Sequence, residues 1–336
     1  MNTPPEPYKN QGRVKKTAKY LAAVSLVLLF SLWCYLADFD LVFDLFCQFR
    51  YQLSLTAIIL LLPLLVRKFR ASLSKQQILL TAGACLLALA LNVLAVLFCI
   101  QTEKADLKAP GAASLTVMQC NINSSNCDPE KMLKASQNAD IIFLEEISPK
   151  LAEAINNKDG PVAKAYPYKI IRPRADNFGI GILSKLPIES SKIIENAESI
   201  PSIECLLSLG TTKLTVRAVH TLPPLSGSMY RSCNSDIKNL AIQAQTKTPL
   251  IIAGDFNCVP WSPHIKPIFL SGLKEASPPH SLPLPTWCTM LPMPAQIPID
   301  HIFVSKDFAV HSVETGAQTG SDHLPILAKL SLRSTK

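Results

Sequence analysis

Charge is what this chain has least of: 17% of its 336 residues are Asp, Glu, Lys or Arg, against 48% hydrophobic. Other absences exclude whole classes of site. There is no GxxxxGK[ST], no HExxH and no GxSxG, so a P-loop, a zincin centre and a nucleophile elbow are missing. Gly179-Ile180-Gly181 lacks the third glycine and the following helix of a dinucleotide site. It reads as a strand entry where small residues allow close packing. None of the ten cysteines stands in a CxxC pair or a zinc-ligand spacing, and no disulfide pairing is assigned. No internal repeat is visible. The net charge of +8 argues less than its size suggests. Residues 1–100 hold 10 Lys/Arg and 4 Asp/Glu, whereas residues 101–336 hold 23 and 21. The excess lies at the N-terminal end, and the remaining +2 gives little support for nucleic-acid binding.

What is present begins with apolar runs. A polar N-terminus, residues 1–19, carries Lys9, Arg13, Lys15, Lys16 and Lys19. Tyr20 to Ala37 then runs without a charge. No small-residue cleavage site follows and two more apolar stretches do, which favours a membrane anchor over a signal peptide. Tyr51 to Val66 is shorter than the ~20 residues a bilayer requires, with Arg50 and Arg67 placed to snorkel. Ile78 to Ile100 is interrupted only by Asn92. Three transmembrane helices are therefore expected over residues 20–100. Arg67, Lys68, Arg70 and Lys75 fill the second loop, and Asp38, Asp40 and Asp44 the first. By the positive-inside rule the N-terminus and second loop are cytoplasmic. Three spans that start inside end outside, so the rest of the chain is expected to be extracytoplasmic. Residues 101–113, with Pro110 and Gly111, read as a linker.

From residue 114 onward, short apolar strands alternate with amphipathic pieces. Strands are expected at Ser114–Gln119, Asp140–Leu144, Ile180–Leu183, Leu214–Val219, Leu250–Ala253, Ile299–Val304 and Leu324–Leu332. Asp128 caps a helix opening at Pro129, and Pro149–Ile155 is helical. This alternation suggests packed sheets with helices outside. The prolines of residues 260–298 imply irregular loops. Two stretches carry chemistry. In Gly254-Asp255-Phe256-Asn257 an apolar run stops at a glycine. Residues two apart on an extended chain point the same way, so Asp255 and Asn257 reach one ligand. In Gly320-Ser321-Asp322-His323 a carboxylate and an imidazole precede a strand. A carboxylate, a carboxamide and a histidine at strand ends are the parts of a metal-assisted phosphodiester hydrolase.

Taken in order, these motifs resemble the endonuclease/exonuclease/phosphatase superfamily over most of residues 114–332. His220-Thr221-Leu222-Pro223-Pro224, Trp261-Ser262-Pro263 and Thr286-Trp287 are similar to a bacterial, membrane-anchored branch of it. The resemblance implies an α/β fold: two packed, mainly antiparallel β-sheets flanked by helices, a four-layer sandwich spanning residues 114–336. It also implies a multi-pass protein of the bacterial inner membrane, with that domain periplasmic. Asn121-Ile122-Asn123 follows the first strand, where the family places a metal- or phosphate-contacting asparagine. Asp140-Ile141-Ile142-Phe143-Leu144-Glu145-Glu146 is similar to a strand ending in Gln-Glu, which makes Glu146 the metal carboxylate and puts Glu145 where glutamine is usual. His220 matches the leaving-group histidine, Asp300 the aspartate that orients the last histidine, and His323 that histidine.

The implied catalytic set is His220, Asp255, Asn257, Asp300 and His323. Metal ligands are Glu146, Asp322 and Asn121; substrate contacts are Asn121, Asn123, Arg231 and Trp287. The implied cofactor is Mg²⁺, or Mn²⁺ in its place. A hard cation prefers carboxylate oxygens, amides contact phosphoryl oxygens without adding negative charge, and an imidazole titrates near neutrality. Which histidine gives and which takes a proton stays open. The substrate is a phosphate ester, lipid or nucleic acid, with the charge balance leaning away from the latter. No partner protein is evident. The alternative is a non-catalytic module that keeps the fold to bind a phosphorylated ligand. His264, His280 and His311 match no motif and read as structural.

Overall fold

The structure, a computed structural model, describes residues 6–100, 113–124, 128–244 and 248–333, with side chains from residue 14. The expected linker lies outside the described residues except for Ala113, as does Cys127. The chain divides into two compact units, Met1–Cys99 and Ile100–Lys336.

The first unit is helical. α1 (Glu6–Trp33) and α5 (Lys75–Leu97) provide the two helices long and apolar enough to cross a membrane, over Val14–Leu36 and Lys75–Leu97. α5 starts at a capping box formed by Ser74 and Gln77, which satisfies backbone donors at that end. The expected middle span is corrected. Tyr51–Val66 is not a straight spanning helix; α2 (Leu41–Cys47) and the helical stretch Arg50–Leu65, which opens as α3 (Arg50–Leu61), form a pair bent by 63°. Only if that pair counts as one span does the total reach three. Arg50 explains part of the departure. It does not snorkel but is buried, donating to Asn92 Oδ1 at 3.3 Å and to the Cys34 carbonyl at 3.2 Å. Asn92 in turn donates to Ser31 Oγ at 2.8 Å. A buried guanidinium needs such acceptors, so this sequence folds the second apolar stretch around a polar contact. α4 (Arg67–Arg70) is a short basic turn between the apolar helices.

The second unit is built on two six-stranded sheets. One runs in the order β11 (Phe308–Thr315), β12 (Ile326–Leu332), β1 (Ser114–Asn121), β2 (Ile141–Glu145), β4 (Ile180–Ser184), β3 (Tyr168–Arg172). The other runs β5 (Ile188–Glu195), β6 (Pro201–Leu209), β7 (Thr212–His220), β8 (Leu250–Asp255), β10 (Asp300–Val304), β9 (Lys274–Glu275). Each sheet is mixed: the central pair is parallel and every other pairing antiparallel, close to the expected mainly antiparallel pattern. Strand alternation sorts the side chains. Leu115, Val117 and Phe143 meet Val216, Ile251 and Ile302 between the sheets. Met118, Cys120, Ile142 and Leu144 face a cluster shared with α6 (Pro129–Ala135), α7 (Pro149–Asn156) and α8 (Pro161–Ala165). Ile252 and Phe303 face α9 (Gly227–Gln243) and α10 (Lys266–Leu270).

The parallel pairs position the site. A parallel pair needs a crossover, and both strands then end at the same edge. Asn121 pairs with Glu145 at the end of β1–β2, and His220 with Asp255 at the end of β7–β8. β10 is antiparallel to β8, so its first residue, Asp300, lies opposite Asp255. β12 is antiparallel to β1, with Ile326 opposite Gln119, so His323 just before it reaches the same end. Gly254 lets β8 pass close to β7: a Cβ on it would lie 1.8 Å from the Val219 carbonyl oxygen, and its φ is +156°.

Candidate active site

Asp255 is the centre of the cluster. It is buried, and its Oδ2 accepts from Asn121 Nδ2 at 3.1 Å. The same Nδ2 donates to Glu146 Oε1 at 3.1 Å, so two carboxylates share one amide nitrogen. His220 Nε2 lies 3.7 Å and His323 Nε2 3.8 Å from Asp255 Oδ2. The other oxygen, Oδ1, accepts from the Asn257 backbone nitrogen at 2.8 Å. Asn257 adopts a positive φ of 49°, and its amide donates to the Thr221 carbonyl at 2.8 Å. The turn after β8 is thereby tied to the turn after β7.

His323 is set by its neighbours. Its Nδ1 is 2.8 Å from Asp300 Oδ2, and its backbone nitrogen donates to Ser321 Oγ at 3.0 Å. Burial alone would lower its pKa. The charge and hydrogen bond of Asp300, with Asp255 and Asp322 behind them, outweigh that and raise it to about 10. Asp300 is correspondingly lowered: burial opposes, and the His323 charge prevails. His220 goes the other way. Burial, then the His323 charge, lower it to about 4, so it is neutral at pH 7. The Asn177 backbone offers it a hydrogen bond, and the Phe178 ring centroid lies 5.0 Å from the imidazole centroid. Asp255 is raised to about 7 by burial and by the Asp300 charge.

The remaining expected residues fall in different places. Glu146, at φ 62°, leaves β2 in a left-handed turn and also accepts from the Ser124 backbone nitrogen at 3.3 Å. Asn123 donates through Nδ2 to Asp322 Oδ1 at 2.8 Å, and Trp287 Nε1 to Asp322 Oδ2 at 3.0 Å. Both Asp322 oxygens are thus engaged. Burial opposes ionisation of Asp322, but the Asn123 hydrogen bond leads the effects that lower its pKa overall. Arg231 is exposed on α9, and among the described residues no hydrogen bond joins it to the cluster.

One buried residue was missed, and a second, Glu145, was named only as standing where glutamine is usual. Gln119 sits two positions before Asn121 and faces the space between the sheets. Its Nε2 donates to Glu145 Oε2 and Asp300 Oδ1, each at 2.8 Å, joining one sheet to the other. A hydrogen bond to a charged group contributes ~1.5–3 kcal/mol, a magnitude that applies to the Asp300 contact. Glu145 is fully buried; burial first and the Asp300 charge second push its pKa well above the carboxylate range, so it is held neutral. The available signal was a Gln in phase with Val117 on an apolar strand, a buried polar position that must find a partner.

The donors suit a hard cation. Glu146 and Asp255 share an amide, and among the described residues no Lys or Arg pairs with Glu146, Asp255, Asp300 or Asp322. Unbalanced buried carboxylates call for positive charge. Asp255, Asp300 and His323 also form a group able to hold a metal ion, with candidate ligand atoms within 4.8 Å of one another.

The sequence profile described as the Endonuclease/Exonuclease/phosphatase family matches residues 118–323. No curated protein sequence matches the chain significantly. Solved structures with similar folds include an endonuclease/exonuclease/phosphatase from Beutenbergia cavernae: 17% identity, TM-score 0.52, 66% of this chain and 72% of that one. Another is that of Bacteroides vulgatus: 18% identity, TM-score 0.51, 66% and 99%. A third is D. rerio TDP2 complexed with single strand DNA product: 14% identity, TM-score 0.52, 65% and 99%. At these identities the likeness shows the fold.

Proposed function

Because the chain belongs to the endonuclease/exonuclease/phosphatase family, we propose that it is a membrane-anchored, Mg²⁺-dependent hydrolase of phosphoric esters, with Mn²⁺ as the substitute ion. One observation carries this reading. Asp255 Oδ2 meets Asn121 at 3.1 Å and lies 3.7 and 3.8 Å from the two imidazoles, so four residues from four strand ends share one small space.

Glu146 and Asn121 would hold the cation, and Asp322 orients that edge through Asn123 and Trp287. The metal supplies relief of charge on the phosphoryl oxygens. In the reaction a water oxygen bonds to phosphorus, the ester P–O bond breaks, and the leaving oxygen takes a proton. Asp255 receives the proton of the attacking water; a pKa near 7 suits a base at neutral pH. His323 carries the positive charge, with Asp300 holding its ring in place through Nδ1–H, and it offers Nε2–H to the phosphoryl or leaving oxygen. Neutral His220 contributes a hydrogen bond from the opposite side. Asn257 and Asn123 shape the floor. The apolar helices anchor the enzyme, and with the bent α2–α3 pair counted as the third span the basic N-terminal segment and second loop favour a periplasmic site.

The test is a substrate panel for the full-length protein in detergent: bis-p-nitrophenyl phosphate, DNA and phospholipid, with Mg²⁺, Mn²⁺ or EDTA. Metal-dependent turnover lost in His323→Ala is expected. Equal rates for wild type and His323→Ala on every substrate would defeat the proposal. Tight phosphate binding without turnover would favour the binding module instead.

A further inference from the structure

Two loops bordering the site carry large apolar side chains in the open. After β7, Thr221 donates its backbone nitrogen to the Asp255 carbonyl at 3.0 Å, and four residues on Leu225 is 76% exposed. Before β10, Thr289 donates its backbone nitrogen to the Asp322 carbonyl at 2.9 Å. Directly after it Met290, Leu291 and Met293 are 82%, 48% and 65% exposed. A single exposed leucine means nothing. Four such side chains on two loops fastened to the same site are a different matter.

The charge pattern points the same way. Residues 218–230 and 276–298 contain no Asp, Glu, Lys or Arg. Nucleic acid would need Lys or Arg for its phosphates at this rim. A soluble anionic ester would gain nothing from exposed methionine. A lipid surface would accept both loops, because it takes apolar side chains and penalises charge. The chain also supplies proximity: two helices can cross a membrane, and thirteen residues, 101–113, separate Ile100 from β1. At most they span about 45 Å.

Resting on the hydrolase reading, we infer that the substrate is a phosphate ester carried by a membrane lipid, and that the loops bearing Leu225 and Met290–Met293 dip into the lipid surface to present it. The apolar side chains take the place of head-group contacts, while Asp255 and His323 meet the phosphate.

The experiment uses the full-length protein in vesicles of phosphatidylethanolamine and phosphatidylglycerol. Hydrolysis of vesicle phospholipid and of soluble bis-p-nitrophenyl phosphate is followed in parallel. The Leu225→Asp/Met290→Asp/Met293→Asp protein should lose about tenfold or more on vesicle lipid. Its rate on the soluble diester should stay within about twofold, which also shows that it folds. Met290→Leu/Met293→Leu should match wild type on both. Three results overturn the inference while leaving the hydrolase reading intact: equal losses on both substrates, no loss on lipid, or a wild type that cleaves the diester or single-stranded DNA but not vesicle lipid. Wild type inactive on all three would defeat both.

Discussion

Asp300→Asn changes one atom type at the most constrained point of the site. The variant keeps an oxygen to accept from Gln119, now 2.8 Å from Asp300 Oδ1. It presents an amide NH₂ to His323 Nδ1, now 2.8 Å from Asp300 Oδ2. Two losses follow. The imidazole no longer has a carboxylate to hold its proton. Moving a histidine from 6.5 up to about 10 corresponds to roughly 5 kcal/mol of preference for the charged form, most of it supplied here by Asp300. Without it, burial lowers the His323 pKa from about 10, opposed only by the Asp255 and Asp322 charges. The amide donates to Nδ1, so the one remaining proton sits on Nε2, which still donates but without the positive charge. A general acid or base group contributes about 10²–10⁴-fold in rate, and a fall of about that size is expected from losing the charged donor. Steady-state hydrolysis of bis-p-nitrophenyl phosphate at saturating Mg²⁺ measures the rate, and histidine NMR the titration. A variant within about threefold of wild type, with His323 still titrating near 10, would refute this reasoning.

Other expectations follow from the same contacts. Glu145→Gln replaces a carboxyl already held neutral and should change the rate less than about threefold, whereas Glu146→Gln should cost about 100-fold and raise the metal concentration needed. Activity needs Asp255 ionised and His323 protonated, so kcat should rise with pH through about 7 and fall near 10. A cation beside Asp255 favours the carboxylate, so raising Mg²⁺ should move the acid limb to lower pH; an acid limb indifferent to metal would count against that placement. Gly254→Ala drives a Cβ against the Val219 carbonyl and should cost about 3 kcal/mol, read as a lower thermal midpoint together with lost activity.

The strand ends were legible because each apolar run stops at the residue that does the work. Leu250–Ala253 delivers Asp255, Leu214–Val219 delivers His220, and the strands run close to the expected bounds. β6 was also readable, since Ile203, Cys205, Leu207 and Leu209 alternate inward, yet it was not assigned. β5 offers no such pattern because most of its side chains are exposed on both faces. α9 hides its period among polar residues, its buried side chains including Tyr230, Cys233, Ile237 and Leu240. Within the site, the Asn123–Asp322 contact joins positions 199 apart, and Gln119–Asp300 positions 181 apart. No local pattern encodes such pairs; they follow only once the sheets are packed. The middle apolar stretch misled for a related reason. Composition suits a span, but Arg50 turns inward to Asn92, 42 residues away.

The most direct measurement of the central claim is hydrolysis of bis-p-nitrophenyl phosphate by the full-length protein in ¹⁸O-labelled water, with the product read by ³¹P NMR. The account predicts a single solvent oxygen on the phosphate product, appearing only when a divalent cation is present and vanishing in His323→Ala. Label on the released phenol, or the same labelled phosphate formed in EDTA or by His323→Ala, would contradict it.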